Sequence, residues 1–128
     1  PAQKANAAAA HKAGLLFVQH SCGNNWKILD DFIASGIDCY QSIQASASMD
    51  LAEVRKRTRG KIAIWGGALL ENLVGGTISD CRQDVRRAMQ VAKEGGGFIF
   101  GPSHSIAVGT QYDNLLATLD EFEKLRDY

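Results

Sequence analysis

The order of segments along the chain constrains the fold more than any other feature of the sequence. A helical stretch, one or more glycines and a short apolar stretch follow one another four times, with the glycines at positions 14, 36, 60 and 95–97. Glycine after a helix is the usual left-handed cap. Short strands that alternate with helices form parallel sheets through right-handed crossovers. The sequence therefore predicts an α/β fold with one parallel sheet.

Four strands and five helices are predicted from this pattern. The first strand, over residues 15–19, is an apolar run typical of a strand buried on both faces. A long loop containing four glycines follows the third strand, and no linker divides residues 1–128, which predicts a single domain. The predicted strands cover residues 15–19, 37–42, 61–65 and 98–100, and the helices cover about 2–13, 25–35, 50–60, 77–94 and 113–125.

Composition and charge exclude several classes of partner. Apolar residues make up 45% and charged residues 22% of the 128 positions, as in ordinary globular domains. Fourteen basic and fourteen acidic side chains cancel, so we expect binding neither to nucleic acid nor to an acidic membrane. One local excess of positive charge, which begins at Arg55, is typical of the solvated end of a helix.

The cysteines and the first residues bear on the compartment. Three cysteines at irregular spacing predict reduced thiols and a cytoplasmic protein. The opening residues resemble neither a signal peptide nor a membrane span. The chain also starts within a helix-like pattern and without Met, which predicts that it is a segment of something longer.

Residues that could take part in catalysis or binding follow each of the four predicted strands. Because the carboxyl ends of parallel strands meet at one edge of a sheet, we expect these side chains to form a single polar cluster. The cluster comprises His20 and Cys22 after the first strand, Gln41 and Gln44 after the second, Trp65, Gly66 and Gly67 after the third, and Ser103 and His104 after the fourth.

His20 and Cys22 are the strongest candidates for metal ligands. Residues two apart in a strand point to the same face, and an imidazole with a thiol suits zinc. Zinc sites need three or four ligands, so this pair alone is a weak signal. Each further candidate has a structural alternative: His104 as an ordinary loop histidine, Trp65 as core, and Cys39 and Cys81 as small core residues.

Three motifs in sequence order resemble the uroporphyrinogen decarboxylase superfamily. They are His-Ser-Cys-Gly-Asn at residues 20–24, Ile-Trp-Gly-Gly at residues 64–67, and Gly-Gly-Gly-Phe-Ile-Phe-Gly-Pro-Ser-His at residues 95–104. The superfamily fold is a (β/α)₈ barrel. The resemblance implies that this chain is the carboxyl-terminal half of such a TIM barrel, with four parallel strands alternating with helices. The amino-terminal half of the same barrel is then the first expected partner.

One branch of the superfamily resembles methyltransferases that exchange methyl groups with a corrinoid protein. Its members bind zinc through His-x-Cys and a later cysteine, and the metal activates a thiol or another methyl-bearing heteroatom. His20 and Cys22 match the first two ligands, but this chain has His104 where the family has the third ligand, a cysteine. The third ligand is then His104 or an acidic residue of the amino-terminal half, or else the metal is absent. At such a site we expect Gln41 and Gln44 either to orient the substrate or to hydrogen-bond to the metal ligands.

The expected cofactor and substrate contacts of that site are Trp65, Gly66, Gly67 and Ser103, with Trp65 as a wall of the pocket. A site of this kind takes a small-molecule substrate. Backbone N–H groups at the two glycines could meet an anion, although the sequence contains no phosphate-binding loop.

Two alternatives remain open at the level of sequence. True uroporphyrinogen decarboxylases use no cofactor, and the resemblance would then place His104 against the carboxylates or pyrrole groups of a tetrapyrrole substrate. A chain of 128 residues with this alternation would also suit a complete flavodoxin-like binding module. A half barrel differs from such a module because it exposes two strand edges, and it is expected to pair with another half or to form a homodimer.

Overall fold

The computed structural model describes residues 1–127, and it contains four β-strands that alternate with helices. A short 3₁₀ helix, Ala45–Ala47, follows the second strand. The strands are β1 (Val18–His20), β2 (Cys39–Gln41), β3 (Ala63–Ala68) and β4 (Phe98–Pro102). The α-helices are α1 (Ala2–Lys12), α2 (Leu29–Ala34), α3 (Leu51–Thr58), α4 (Leu70–Gly75), α5 (Ile78–Ala92) and α6 (Tyr112–Leu125).

The strands form one parallel sheet in the order β1-β2-β3-β4. His20, Gln41, Trp65 and Ile99 are register partners and make one row across the sheet. The predicted α/β architecture of four parallel strands is confirmed. The flavodoxin-like alternative is wrong, because that fold places its first strand between the second and third, whereas here β1 lies at the edge.

The two faces of the sheet have different environments. Tyr40, Ile64 and Phe98 point to the face covered by helices and are at most 7% exposed. They pack with Leu29 of α2 and Val85 of α5 in the main apolar core. The alternate residues along the strands point the other way, since side chains alternate between the two faces. We call the latter surface the helix-free face.

The first strand differs from its prediction. It begins at Val18 instead of residue 15, and Leu15 and Leu16 are 63% and 78% exposed. Val18 itself is 45% exposed on the helix-free face, so the strand is not buried on both faces among the residues described. An apolar run indicates that a segment is suited to burial, but it cannot identify the layer that would cover it.

The segment after β3 also differs from its prediction. Gly66 and Gly67 lie inside β3, and α4 occupies the expected loop. A Cβ on Gly67 would lie 2.7 Å from the Cβ of Ala88, so glycine lets α5 pack directly on the strand. Asp84 of α5 accepts hydrogen bonds from the Leu69 N–H (3.1 Å) and the Asn72 side chain (2.9 Å), which hold the start of α4 in place.

The amino-terminal edge of the sheet is closed by a buried arginine. Gly95, Gly96 and Gly97 form the turn before β4 with φ of +80°, +70° and +70°. The Arg55 guanidinium donates to the carbonyl oxygens of Glu94 (3.0 Å) and Gly96 in this turn. Arg55 is only 3% exposed, so the prediction of a solvated helix end is wrong at this residue.

None of the helices formed by residues 1–127 combines the length and apolar character that crossing a bilayer requires.

Candidate functional site

Three potential ligand atoms converge beyond the carboxyl ends of β1 and β4. One nitrogen each of His20 and His104 and the sulfur of Cys22 lie within 4.8 Å of one another. The His20 Nε2 and Cys22 Sγ atoms are 3.2 Å apart, and the two imidazole rings meet edge to face with centroids 5.9 Å apart. All three side chains are exposed. The fold therefore brings together the three residues named as metal ligands from the sequence.

Gln41 sets the orientation of the His20 ring. Its Oε1 atom accepts a hydrogen bond at His20 Nδ1, which places the ring proton on Nδ1 and leaves the Nε2 lone pair free toward Cys22. The Gln41 amide nitrogen also lies 3.4 Å from the carbonyl oxygen of Pro102. One amide thus connects the histidine after β1 to the strand that leads to His104.

Gln44 acts on the backbone of the ligand loop. Its Oε1 accepts the Gly23 N–H at 2.9 Å, while its amide nitrogen donates to Ser46. The Asn25 side chain supports the same loop, because its nitrogen lies 2.9 Å from the Ser21 carbonyl and 3.0 Å from the Tyr40 hydroxyl. The loop that carries Cys22 is therefore held at several points by amide groups.

Ser42 is a site residue that the sequence analysis did not identify. Its hydroxyl lies 3.2 Å from Cys22 Sγ and 2.8 Å from the carbonyl oxygen of Ser103. Ser103 is 2% exposed, its N–H donates to Ala68, and its Oγ accepts the Leu70 N–H. Ser103 therefore faces the protein and anchors the loop before His104. The only sequence signal for Ser42 was its position as the last residue of a predicted strand, and the observed strand ends one residue earlier at Gln41.

A pocket of about 460 Å³ lies beside these residues on the helix-free face. Apart from the two histidines and Gln41 its lining is mainly apolar, and it includes no lysine or arginine among the residues described. The lining residues are Val18, His20, Gln41, Trp65, Pro102, His104, Ser105 and Ile106.

Trp65 reaches this pocket because Gly101 has no side chain. A Cβ on Gly101 would lie 2.3 Å from the indole nitrogen of Trp65, so the ring rests directly on the backbone of β4. Gly66 and Gly67, in contrast, are both buried, and a Cβ on Gly66 would lie 3.3 Å from the Cβ of Ile43. Packing accounts for those two glycines, and the fold does not bring them to the pocket lining.

The thiols of the chain have contrasting surroundings. Burial raises the pKa of the Cys39 thiol to about 11, which keeps it protonated at neutral pH. Cys81 is also buried, and burial raises the pKa of its thiol as well. Cys22 is the one exposed cysteine in the described part of the chain. Only this cysteine is placed to meet solvent, substrate or a metal ion.

Comparison with known proteins extends over almost all of the chain. Residues 1–125 match the family model for uroporphyrinogen decarboxylase (URO-D), and no curated protein matches the sequence. Among solved structures, a methyltransferase from Methanosarcina mazei has a similar fold, with a TM-score of 0.79 and 18% sequence identity. The match covers 97% of this chain and 36% of that methyltransferase. The resemblance inferred from the three motifs is confirmed, and the chain belongs to the uroporphyrinogen decarboxylase family.

Proposed function

We propose that this chain is part of a zinc-dependent methyltransferase that exchanges a methyl group between a small substrate and a corrinoid protein or thiol. The observation that supports this proposal is the convergence of His20, Cys22 and His104, with ligand atoms within 4.8 Å of one another. An exposed thiol between two imidazoles has no evident structural purpose, whereas it matches the donors that zinc prefers.

The donor set fits zinc in its chemistry, and the His20–Cys22 pair fits it in spacing as well. Zinc binds histidine nitrogen and cysteine sulfur at about 2.0–2.3 Å, so tetrahedral ligand atoms stand roughly 3.6 Å apart. The 3.2 Å between His20 Nε2 and Cys22 Sγ is close to that separation. Three protein ligands also leave a fourth position for substrate, as in catalytic zinc sites. Bound there, zinc would supply a Lewis acid that activates a thiol or another methyl-bearing heteroatom.

The pocket beside the triad favours a small, uncharged methyl compound. Its apolar lining and the lack of a lysine or arginine among the described lining residues suit such a substrate better than a polycarboxylate. Trp65 forms one wall, and Gln41 holds the His20 ring so that its Nε2 faces the ligand position. These residues bind and orient the substrate and exclude water from one side.

The exposed helix-free face suggests the remaining partners. We propose that the amino-terminal half of the barrel covers this face and the free edges of β1 and β4, with a homodimer as the alternative. The chain spans 36% of the similar methyltransferase, which is consistent with a further region of sheet. A corrinoid protein would then approach the carboxyl edge, where the triad opens. The reduced thiols are consistent with the proposed cytoplasmic location.

Zinc content tests this function directly. The complete protein and its Cys22→Ser and Cys39→Ala variants are purified, and bound zinc is measured by atomic absorption. We expect close to one zinc per chain in the wild type and in Cys39→Ala, and background levels in Cys22→Ser. Cys39 is the matched control because it is a buried thiol of the same sheet and is not one of the three grouped ligand residues. Equal zinc in the wild type and Cys22→Ser would contradict the proposal.

Cofactor-free decarboxylation of uroporphyrinogen is the second candidate. The family model and the position of His104 in the pocket favour it. This reaction requires that metal-free complete protein release CO₂ from uroporphyrinogen and lose that activity in His104→Ala. CO₂ release that is unaffected by chelation and by Cys22→Ser would select this function over methyl transfer.

A further inference from the structure

We infer that Ser42 is a positioning residue that fixes the sulfur of Cys22 relative to His104. This inference rests on the proposed zinc site, and it concerns a residue outside the ligand triad. Ser42 is fully buried, and its hydroxyl lies between the Cys22 sulfur and the Ser103 carbonyl oxygen. It therefore contacts the two loops that carry Cys22 and His104.

Ser42 has a backbone conformation that is unusual for a residue with a side chain. Its φ is +108°, and Ser48 is the only other residue besides glycine with a positive φ in the described part of the chain. Ser48, at φ +62°, lies in the ordinary left-handed region, which Ser42 does not. Glycine would adopt the Ser42 conformation without steric cost. A side chain retained in such a conformation points to a use for that side chain.

The contacts of the hydroxyl identify that use. It lies 3.2 Å from Cys22 Sγ on one side and 2.8 Å from the Ser103 carbonyl oxygen on the other. Ser103 immediately precedes His104, and its N–H is fixed by the Ala68 carbonyl at 2.9 Å. Movement of either loop would therefore stretch a contact with Ser42. The hydroxyl sets the distance between the loops that present sulfur and imidazole.

The single hydroxyl proton of Ser42 has two acceptors within reach. It can bond to the Ser103 oxygen or to the Cys22 sulfur, while the Cys22 S–H can bond to His20 Nε2. Cysteine that binds zinc is a thiolate, which only accepts hydrogen bonds. The Ser42 hydroxyl is placed to share its proton between that sulfur, at 3.2 Å, and the Ser103 carbonyl oxygen, at 2.8 Å. Groups of this kind, one shell outside a metal, often change affinity 10- to 100-fold when removed.

A variant that removes the Ser42 hydroxyl but keeps the backbone conformation provides the test. The complete protein is prepared as wild type, Ser42→Gly, Ser42→Ala, Cys22→Ser and Ser48→Gly, and circular dichroism checks folding. Zinc affinity is measured by competition with a chromophoric chelator, and the absorption spectrum of the Co²⁺-loaded protein reports the sulfur–metal bond. Ser48→Gly is the matched control, because it replaces an exposed positive-φ serine that makes no contact with the triad.

We expect Ser42→Gly to bind zinc about 10- to 100-fold more weakly than the wild type, with a shifted sulfur-to-cobalt absorption band. Ser48→Gly should stay within twofold of the wild type. Wild-type affinity and an unchanged spectrum in Ser42→Gly would overturn the inference while the zinc site stands. Loss of folding in both Ser42 variants would assign the residue to stability and overturn it too. If the wild type binds no better than Cys22→Ser, the proposed function itself fails and the inference falls with it.

Discussion

At the amino-terminal edge of the sheet the turn before β4 consists of three glycines, whereas at the carboxyl-terminal edge the residue after β2 is a buried serine. Both segments need positive φ, from +70° to +80° at Gly95, Gly96 and Gly97 and +108° at Ser42. The first edge uses the residue type that adopts this conformation freely. The second edge keeps a side chain where glycine would fit better.

Polar groups differ between the two edges in the same way. At the amino-terminal edge Arg55 is buried and donates to main-chain carbonyl oxygens, so its hydrogen bonds serve the fold. At the carboxyl-terminal edge His20, Cys22 and His104 are exposed and face one another. The comparison teaches that the buried arginine that supports the fold and the exposed cluster of potential ligands lie at opposite ends of the same strands, as expected for parallel α/β folds. Substitutions at each end should therefore separate the two properties.

The largest loss of stability is expected from Arg55→Met. It removes a buried guanidinium and the donor to the Gly96 carbonyl oxygen, while the Glu94 carbonyl keeps its bond from Arg59 at 2.7 Å. We expect a cost of about 2 kcal/mol of unfolding free energy. Zinc affinity should stay within twofold, since the triad lies at the other edge. Urea unfolding and chelator competition measure the two effects. Arg57→Met in the same helix is the control, because Arg57 pairs with Asp30 in solvent and should matter much less. Equal losses in both variants would break the comparison.

Alanine at a position with positive φ should lower the unfolding free energy by about 1 kcal/mol relative to glycine, and we expect this smaller effect at both edges. Gly97→Ala should be destabilised by roughly that amount, because the left-handed region disfavours a Cβ, and the nearest atom to that Cβ lies 3.6 Å away. Ser42→Gly should be more stable than Ser42→Ala by a similar margin, the reverse of the order in an ordinary strand. Thermal unfolding of the three variants gives these values. A more stable Ser42→Ala would show that the backbone there is unstrained.

The smallest expected effect is a difference in acid response between two aspartates. The Phe17 N–H, at 2.7 Å, and then His11 lower the pKa of Asp38 at the amino-terminal edge. Its contribution is therefore present above its ordinary pKa of 3.8 and is lost as pH falls through the lowered value. Burial raises the pKa of Asp84, which supports α4 at the carboxyl-terminal edge. Folding then favours protonated Asp84, and stability from this group falls as pH rises from 3.8 through the raised value.

Urea unfolding between pH 3 and pH 6 checks both signs. Asp38→Asn should flatten the loss of stability on acidification, and Asp84→Asn should remove the opposing slope. Arg87 forms an ion pair with Asp84 at 3.8 Å, so Arg87→Met serves as a control for charge effects. Changes of slope in the same direction, relative to the wild type, in the two Asn variants would contradict the assignment.

Much of the fold could be predicted from the sequence because the signals were local. Alternating helices and apolar runs determined the number and direction of the strands, and the strand ends then located His20, Cys22 and His104 at one edge. The burial of Arg55 and the exposure of Leu16 depend on which layers cover each residue, which no local pattern encodes. Helix α4 was not predicted because the glycines on either side of it suggested a loop. The structure shows that Gly67 and Gly76 instead allow close packing against Ala88 and Asn72. Ser42 was missed because its positive φ and its contacts with the loops of Cys22 and Ser103 arise only in the folded chain.

The missing side chain at Gly101 has a consequence for the depth of the pocket. The Trp65 ring occupies the space that a Cβ at position 101 would fill, 2.3 Å from the indole nitrogen. Any larger residue there would push the ring outward into the cavity of about 460 Å³. The volume of this pocket therefore depends on the absence of a Cβ at Gly101 in β4, which makes room for the Trp65 ring of β3. Relatives with a larger residue at this position would accept smaller ligands while His20, Cys22 and His104 stayed the same.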